Sequence, residues 1–358
     1  MKKILATFLS LVIAFTLVGC ETTDQNGDTG DDQVSVALLI GNLGDLSFND
    51  SAYEGLQRAE EELDINFELV EYGEDPTKYE PALLETADAG HDMIIGSSTL
   101  QEVYENNAGS YPDTTFVLFD STVDYTDGAY PNIYSIVYLA NEASYLGGYL
   151  MASLSETGIL GFLGGTDQPI ISDFLLGYIQ GAQEANPDIK VTTAYVGSWT
   201  DAAKGKELSI GMVNQGADSI FGVAGGAGVG AIEVGAEQGI DILGVDSDQS
   251  LVFEAEGNQA FADAIVTSVL KNVGDSLYRA VDLYIKGELE VGSTDNLGIT
   301  ENAVGLADNE YYQDKVPAEL RAELAELADR ITSGDITVDT AYGKTNEEVS
   351  AIRDAVRP

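Results

Sequence analysis

Cysteine and histidine are almost absent from this sequence of 358 residues, which contains one of each, Cys20 and His91. A single cysteine excludes a disulfide framework within the chain and a thiolate metal cluster. A single histidine excludes multi-histidine zinc motifs and argues against a histidine-based catalytic triad. His91 comes just before the apolar run 93–95, so we expect it to be a loop residue without a chemical role.

Basic residues are scarce as well. Lys and Arg number 16 against 61 Asp and Glu, which gives a formal net charge of -45. So negative a chain is unsuited to binding the phosphate backbone of a nucleic acid. The acidic residues are spread along the whole sequence and repel one another at low ionic strength. We interpret this composition as an adaptation of the exposed surface to a saline or alkaline exterior.

The first residues have the composition of a secretory signal segment. Met1 is followed by two lysines and by the apolar run 4–18, after which the chain turns acidic. This run is shorter than the ~20 apolar residues of a membrane-spanning helix, and such a segment is removed on export. Leu17-Val18-Gly19-Cys20 looks like a bacterial lipobox. We therefore expect residues 1–19 to be cleaved and Cys20 to carry the lipid that anchors the protein outside the cell membrane.

A polar, acidic segment then precedes the folded part of the chain. Residues 20–33 contain Gly, Asp and Thr without apolar periodicity, which is typical of a flexible linker. Cleavage before Cys20 would leave 339 residues. Because one hydrophobic core rarely serves so long a chain, we expect two lobes.

Short β-branched runs alternate with amphipathic helical patterns from Val34 onward. The first series of predicted strands covers 36–40, 67–70, 93–95, 115–119 and 133–137. The second series covers 159–163, 191–195, 219–223 and 242–245. This alternation predicts an α/β fold with two lobes, each a parallel-rich sheet flanked by helices. Such folds bind ligands at the carboxyl ends of their strands, in a cleft that opens and closes about the crossings between lobes.

The predicted crossings assign the parts of the chain to the two lobes. A helix at 142–154 carries the chain into the second lobe, and the chain returns near 262–266 before a long helix. The lobes and tail predicted in this way are 34–140 plus 250–292, 141–249 plus 293–340, and a C-terminal tail of 341–358. The last residues, from Asn346, are polar, and we expect them to be poorly ordered.

Distinctive residues follow four of the predicted strands. The segment 44–50 brings an aromatic ring and an amide, Phe48 and Asn49, to the start of a helix. Asp120 and Asp246 each place a carboxylate at a strand end. A further strand carries Phe221 and is followed by a glycine-rich turn at 225–228.

These segments together resemble the basic membrane protein family of nucleoside-binding lipoproteins, which serve ABC transporters and have the type I periplasmic-binding-protein fold. The resemblance extends from the lipobox to Val338. Its further motifs are Ser51-Ala52-Tyr53-Glu54-Gly55, Tyr195-Val196-Gly197-Ser198-Trp199-Thr200-Asp201, Ala224-Gly225-Gly226-Ala227-Gly228 and Thr267-Ser268-Val269-Leu270-Lys271. Asn42 stands where many relatives carry Asp, which leaves the preference for a purine open.

The resemblance implies a site that binds a nucleoside between the lobes. The residues that it assigns to the ligand are Phe48 and Phe221 as rings that stack on the base, Asn49 and Asp120 near the base, and Asp246 and Lys271 on the ribose. Stacking contributes ~1–3 kcal/mol per base, and buried carboxylates bonded to hydroxyls discriminate against analogues that lack them. The partners implied are a nucleoside and the permease and ATPase of an ABC importer; no cofactor and no nucleic acid is implied.

Each of these side chains also has an ordinary structural explanation. Buried phenylalanine is typical of a core, and an aspartate after a strand is typical of a helix N-cap. Lys271 is equally consistent with a solvated helix residue. Trp199 forms either a wall of the cleft or core packing, and Gly226 belongs to the glycine-rich turn.

Three other functions compete with nucleoside transport. The same fold binds sugars or other polar metabolites, and such a receptor can serve a signalling partner instead of a transporter. A hydrolase that uses Asp120 and Asp246 as acid and base is the third. No nucleophile elbow, metal cluster or histidine base supports the hydrolase, so we predict a binding protein and not an enzyme.

Overall fold

Two six-stranded sheets, one in each lobe, form the framework of the fold. The computed structural model describes residues Gln33–Pro358, so the predicted signal segment, Cys20 and residues 21–32 of the predicted linker lie outside the described residues. The first sheet contains, in spatial order, β11 (Ser293–Leu297), β5 (Ile133–Tyr138), β4 (Thr115–Phe119), β3 (Met93–Ser97), β1 (Ser35–Ile40) and β2 (Asn66–Glu71). The second sheet contains β12 (Val304–Leu306), β10 (Ile265–Lys271), β9 (Asp241–Asp246), β8 (Ser219–Val223), β6 (Ile159–Gly164) and β7 (Lys190–Tyr195).

Helices cover both sheets. Those of the first half of the chain are α1 (Phe48–Leu63), α2 (Tyr79–Asp88), α3 (Gln101–Asn107), α4 (Ala140–Leu154), α5 (Pro169–Ala185) and α6 (Ala202–Asn214). Those of the second half are α7 (Val229–Gln238), α8 (Gln249–Ala255), α9 (Gln259–Ala264), α10 (Val273–Lys286), α11 (Glu310–Lys315), α12 (Ala318–Thr332) and α13 (Asn346–Ala355). Among residues 33–358, none of the helices is long and apolar enough to span a membrane.

The two sheets repeat one strand order. Every strand pair is parallel except β10 with β12, and β1, β3, β4 and β5 correspond in position to β6, β8, β9 and β10. The strands are apolar because helices cover both faces; in β1, for example, Val36 to Ile40 are completely buried. The predicted fold class, two lobes with parallel-rich sheets, is confirmed.

Three crossings join the lobes and form the hinge. The chain passes from β5 to α4, from β10 to α10, and from β11 to β12. Hydrogen bonds tie these crossings together, since the Leu139 N–H donates to the carbonyl of Leu297 at 2.9 Å and the Asn272 N–H to that of Ala303 at 2.8 Å. We therefore expect bending between the lobes to be concentrated in a few residues at the ends of β5, β10 and β11.

The predicted division of the chain between the lobes is wrong for two strands. Segment 250–292 was expected in the first lobe, but its strand β10 pairs with β9 in the second sheet. Segment 293–340 was expected in the second lobe, but its strand β11 pairs with β5 in the first sheet. The physical reason is that β9, α8, α9 and β10 complete an ordinary parallel crossover unit, so the chain leaves the second lobe after β10. The following helix, α10, packs against α1 of the first lobe.

The C-terminal residues are ordered, contrary to the prediction from their polarity. Helix α13 begins with a capping box in which Thr345 and Glu348 bond to each other's backbone. Val349 packs with Leu176 of α5, and the carbonyl of Val356 accepts a hydrogen bond from β7. The tail is therefore part of the second lobe.

Candidate functional site

Two aspartates occupy equivalent positions in the two lobes. Asp120 directly follows β4, and Asp246 ends β9, the corresponding strand of the second sheet. Both have a left-handed backbone, with φ of 63° and 62°, a conformation that few residues other than Gly, Asn and Asp adopt readily. Both side chains are buried. The fold thus directs one carboxylate from each lobe into the space between them.

Lys271 connects these two carboxylates. It is the last residue of β10, directly before a hinge crossing, and it is only 3% exposed. Its Nζ lies 2.9 Å from Asp120 Oδ2 and 3.9 Å from Asp246 Oδ1. Burial raises the pKa of Asp246, while Lys271 and a hydrogen bond from Ser47 act in the opposite direction. The cluster is therefore a buried ion triad with two acids and one base.

Three aromatic rings surround the ammonium of Lys271. Its Nζ lies 4.7 Å from the ring centroid of Phe174, 5.1 Å from that of Phe48 and 5.7 Å from that of Tyr138. All three distances are within the range of cation–π attraction. Phe48 begins α1 of the first lobe, and Phe174 lies on α5 of the second. One ring from each lobe therefore faces the charged cluster.

Phe221 lies behind this arrangement. It is completely buried in β8, and its ring contacts Phe174, Tyr178 and Phe162 at centroid distances of 6.1, 5.2 and 5.6 Å. The structure thus brings Phe48 to Lys271 but places Phe221 in the core, as support for Phe174. Sequence reasoning missed Phe174. Its position is explained by the topology, because α5 follows β6 just as α1, with Phe48, follows the equivalent β1. The sequence pattern does not distinguish Phe174 from the other apolar residues of α5.

The loop before α1 is held by two aspartates. Asp45 accepts hydrogen bonds from the backbone N–H groups of Ser47, Asn49 and Asp50 at 3.1, 2.8 and 3.2 Å. Asp50 in turn accepts from the N–H groups of Gly44 and Leu46, each at 2.8 Å. Burial raises the pKa of Asp45 to about 6. These bonds fix the segment 44–49, including Phe48 and the half-buried Asn49, at the helix N-terminus.

The same loop touches the second lobe. The Ser47 hydroxyl donates to Asp246 Oδ2 at 2.7 Å, and both side chains are buried. The Ser247 hydroxyl donates to the Ser47 carbonyl at 3.2 Å. Farther out, the Thr200 hydroxyl donates to Glu74 at 3.2 Å. The lobes are therefore in direct contact across the cleft, as in the closed arrangement of a two-lobed binding protein.

Gly226 and Trp199 lie where the lobes meet. A Cβ at Gly226 would be 3.4 Å from the Trp199 carbonyl oxygen and 3.8 Å from the Asp45 Cα, so this position is in van der Waals contact with both lobes. The Trp199 carbonyl accepts a hydrogen bond from Ala227 at 2.8 Å. Its half-buried indole lies against Gly165, where a Cβ would collide with the ring. Trp199 thus packs the second lobe and supports the turn that carries Gly226.

Several polar atoms near Lys271 lack partners. Among the described residues, no hydrogen-bond partner is found for the buried atoms Asp120 Oδ1 and the Tyr138 hydroxyl. An unpartnered polar atom in a protein interior is costly, and such atoms are typically satisfied by a ligand or by water. The part of the chain that the structure describes contains no group of three or more His, Cys, Asp and Glu side chains placed to hold a metal ion.

His91 has a structural setting. It is 8% exposed, its Nδ1 lies 2.7 Å from the Ser35 hydroxyl, and its Nε2 lies 3.2 Å from Glu68. Ser35 and Glu68 belong to β1 and β2, and the ring is at the amino-terminal edge of the sheet, away from the cleft.

Residues 33–337 match the family model Bmp, described as ABC transporter substrate-binding protein PnrA-like. Basic membrane protein A of Borreliella burgdorferi is 34% identical over 344 residues, which cover 94% of this chain and 96% of that protein. The ABC transporter nucleoside-binding protein BmpA of Lactococcus lactis is 28% identical over an alignment that covers 94% of this chain and 98% of that protein.

A solved structure shows the same fold. The ABC transporter system solute-binding protein from Aeropyrum pernix K1 superposes with a TM-score of 0.76 at 26% identity. The match covers 90% of this chain and 99% of that one. The similarity therefore includes both lobes and the crossings between them.

Proposed function

Because the chain belongs to the Bmp family of ABC transporter substrate-binding proteins, we propose that it binds a nucleoside between its lobes and delivers it to an ABC importer. The family resemblance predicted from the sequence motifs is confirmed, and the family is one of binding proteins and not of enzymes, as predicted. We further propose that the ligand is a nucleoside and that the protein lies outside the cell membrane.

The observation that carries the proposal is the cluster of Lys271, Asp120 and Asp246 beside one aromatic ring from each lobe. A nucleoside has a flat base with two π-faces and a ribose with vicinal hydroxyls. Phe48 and Phe174 suit the base, since stacking on aromatic rings contributes ~1–3 kcal/mol per base. The carboxylates and the ammonium suit the ribose hydroxyls, which both donate and accept hydrogen bonds.

The charge of the site favours a neutral ligand. Two carboxylates and one ammonium already carry a net negative charge when all are ionised, and they are buried. A phosphate brought beside Asp120 and Asp246 would add like charge in a poorly solvated space. The site therefore suits a nucleoside better than a nucleotide.

The sequence motifs support an extracytoplasmic location. The signal segment and the lipobox at Leu17-Val18-Gly19-Cys20 support cleavage before Cys20 and lipid attachment to it, with residues 20–33 as the tether. Lipidation would hold the binding lobes at the outer face of the membrane, beside the permease of the importer. Metabolic labelling with a radioactive fatty acid should mark the wild-type protein and leave Cys20→Ser unlabelled; equal labelling of both would contradict the anchor.

A sugar is the second candidate ligand. The same triad of Lys271, Asp120 and Asp246 would hold the hydroxyls of a monosaccharide, and the rings would stack on its apolar face. The two candidate ligands differ in the arrangement of aromatic rings that they require, because a sandwiched base needs one ring on each side.

A ligand panel distinguishes these candidates. Purified protein in high salt is screened by thermal shift against nucleosides, nucleoside monophosphates, free bases, sugars and amino acids, followed by calorimetry. We expect a rise in melting temperature with nucleosides and little or none with monophosphates. Phe174→Leu and Asp246→Asn should each lower nucleoside affinity at least tenfold, since each removes a stack or a charged hydrogen bond.

Phe221→Leu is the matched control for Phe174→Leu. It replaces another buried ring of the same core, one that does not face Lys271. It should retain most of the affinity. Stabilisation by sugars alone would contradict the stacking of a base between two rings, while still supporting a two-lobed binding protein. Loss of nucleoside binding in Phe221→Leu but not in Phe174→Leu would restore Phe221 as the stacking ring.

A further inference from the structure

The segment 338–342 lies beyond residues 33–337, the part of the chain that matches the family, yet side chains of the second lobe hold it in place. Asn141 Nδ2 donates to the carbonyls of Val338 and Asp339 at 3.3 and 3.1 Å. Asp173 accepts from the Thr340 hydroxyl at 2.5 Å and from the Ala341 N–H at 2.9 Å. Asn141 is the second residue of α4, at a hinge crossing, and Asp173 precedes Phe174. This C-terminal segment is therefore fixed beside the candidate site.

The next residue of the segment, Tyr342, directs a hydroxyl into this region. Its oxygen is buried and has no hydrogen-bond partner among residues 33–358. The side chain borders a cavity of about 470 Å³ at the hinge, together with Thr122, which is two residues beyond Asp120. Burial and the charges of Asp120 and Asp173 raise the pKa of Tyr342, so the phenol keeps its proton and can donate it.

An acceptor without a partner lies near Tyr342, close enough for its charge to act on the phenol. Asp120 Oδ2 binds Lys271, but Asp120 Oδ1 is buried and unpartnered among the described residues. A carboxylate only accepts hydrogen bonds, whereas a ligand hydroxyl donates one and accepts another at the same time. A hydroxyl between the two residues would satisfy both atoms, by donating to Asp120 and accepting from Tyr342.

We propose that Tyr342 is a ligand-contacting residue and that the C-terminal segment 338–342 forms one wall of the binding site, reading a hydroxyl of the ligand. This inference rests on the proposed function, because it takes the ligand to be a hydroxyl-bearing nucleoside. It adds to the site a donor that the family-matched part of the chain does not supply.

Tyr342→Phe tests the contact, because it removes only the hydroxyl. Tyr178→Phe is the matched control: the Tyr178 hydroxyl is likewise buried without a partner in the described chain, but it lies beside Ser219 at the other end of the second sheet. Calorimetry measures the affinity of wild type and both variants for adenosine, inosine and uridine. The best ligand is then compared with its 2′-deoxy, 3′-deoxy and 5′-deoxy analogues.

We expect Tyr342→Phe to bind the best nucleoside about three- to tenfold more weakly than wild type, which is the range for one neutral hydrogen bond. The preference of wild type for one particular hydroxyl should shrink by the same factor in Tyr342→Phe and stay unchanged in Tyr178→Phe. Equal affinity of Tyr342→Phe and wild type would overturn the proposal. So would an equal loss for the nucleoside and all three analogues, which indicates a purely structural role.

The outcomes separate this inference from the proposed function. If wild type binds sugars and no nucleoside, the nucleoside proposal fails, and the Tyr342 contact is measured in the same way with the matching deoxy-sugars. If wild type binds nucleosides and Tyr342→Phe binds them equally well, the proposed function stands and the C-terminal wall is wrong.

Discussion

Ser47 connects closure of the lobes with the candidate ligand site. It belongs to the first lobe, and its hydroxyl donates to Asp246 of the second lobe at 2.7 Å. Asp246 is one of the two carboxylates proposed to hold the ribose. Because the bond joins the two lobes, their separation would break it, and we expect it to orient Asp246 when the lobes enclose the ligand. A ligand that needs Asp246 in this position thereby stabilises the closed state.

Ser47→Ala should therefore weaken ligand binding by about tenfold or more. A hydrogen bond to a charged group contributes ~1.5–3 kcal/mol, and its removal leaves a buried carboxylate oxygen with one donor fewer. The Ser47 bond lowers the pKa of Asp246, so its loss should also bring the titration of Asp246 to higher pH. Calorimetry gives the affinity, and small-angle scattering with and without ligand gives the degree of compaction.

Ser209→Ala is the matched control for this change. Ser209 is as deeply buried as Ser47, but its hydroxyl donates to the Gly205 carbonyl within α6, away from the cleft. It should bind ligand as wild type does. An unchanged affinity in Ser47→Ala, or an equal loss in both variants, would mean that this bond does not couple closure to binding.

At the scale of elements, Asp173 of α5 determines how the C-terminal segment is held. It is 1% exposed and accepts hydrogen bonds from Thr340 and Ala341. Burial raises its pKa to about 6 from an ordinary value of 3.8, although these bonds and Lys271 oppose the shift. The folded state therefore holds a proton more tightly than the unfolded state between about pH 4 and pH 6.

The sign of the pH dependence follows from this difference. Because the folded pKa is the higher one, the stabilisation is fully present below about pH 4 and is lost as the pH rises through about 6. A shift of about 2 units corresponds to about 3 kcal/mol. Asp173→Asn removes the titration with little change in shape. Its melting temperature, relative to wild type, should rise as the pH increases from 4 to 7.5.

Asp167→Asn is the control, since Asp167 is exposed on the loop just before α5. Its melting temperature should stay parallel to that of wild type over the same range, because general repulsion among the acids affects both proteins alike. A parallel curve for Asp173→Asn as well would contradict the titration assigned to Asp173.

The regular elements were largely predictable from the sequence, while their assignment to lobes was not. Alternating β-branched runs and amphipathic helices identified the strands because burial in a parallel sheet imposes that composition. The same pattern does not encode which sheet a strand joins. The segments that contain β10 and β11, neither of which was predicted as a strand, were therefore assigned to the wrong lobes, since strand pairing depends on long-range contacts. Capping by Thr345 and Glu348 outweighed the polarity that suggested a poorly ordered tail.

The candidate site, like the fold, could be predicted from the sequence only in part. Asp120 and Asp246 could be predicted, because each stands at the end of an apolar strand, and the carboxyl ends of parallel strands meet in the cleft. Lys271 was assigned to the ligand only through the family resemblance, since its position at the end of β10 was not predicted. Phe174 could not be distinguished from the other apolar residues of α5, which is buried over most of its length. Tyr342, the proposed ligand contact, comes from the C-terminal segment, which no strand pattern marks. Both residues are brought to the site by packing between distant parts of the chain.

At the scale of the whole molecule, charge is balanced only locally. The exposed ion pairs include Lys206 with Glu233 and Glu237, and Arg58 with Asp275. Such surface pairs contribute ~0–1 kcal/mol each. Among residues 33–358 they involve eight of the fourteen basic side chains, whereas the chain as a whole carries a formal charge of -45. Most acidic residues therefore repel one another through solvent, and closure brings the two acidic lobes together.

Salt should therefore stabilise the protein through screening. The screening length falls from ~30 Å at 0.01 M to ~3 Å at 1 M ionic strength, which removes repulsion between exposed carboxylates. We expect the melting temperature to rise steeply with NaCl up to about 0.5 M and less steeply above it, because screening is then nearly complete. Sucrose, which strengthens burial without screening, is the control and should lack the steep initial rise. A melting temperature that stays flat or falls as NaCl rises to about 0.5 M would contradict the interpretation of the acidic surface as an adaptation to a saline exterior.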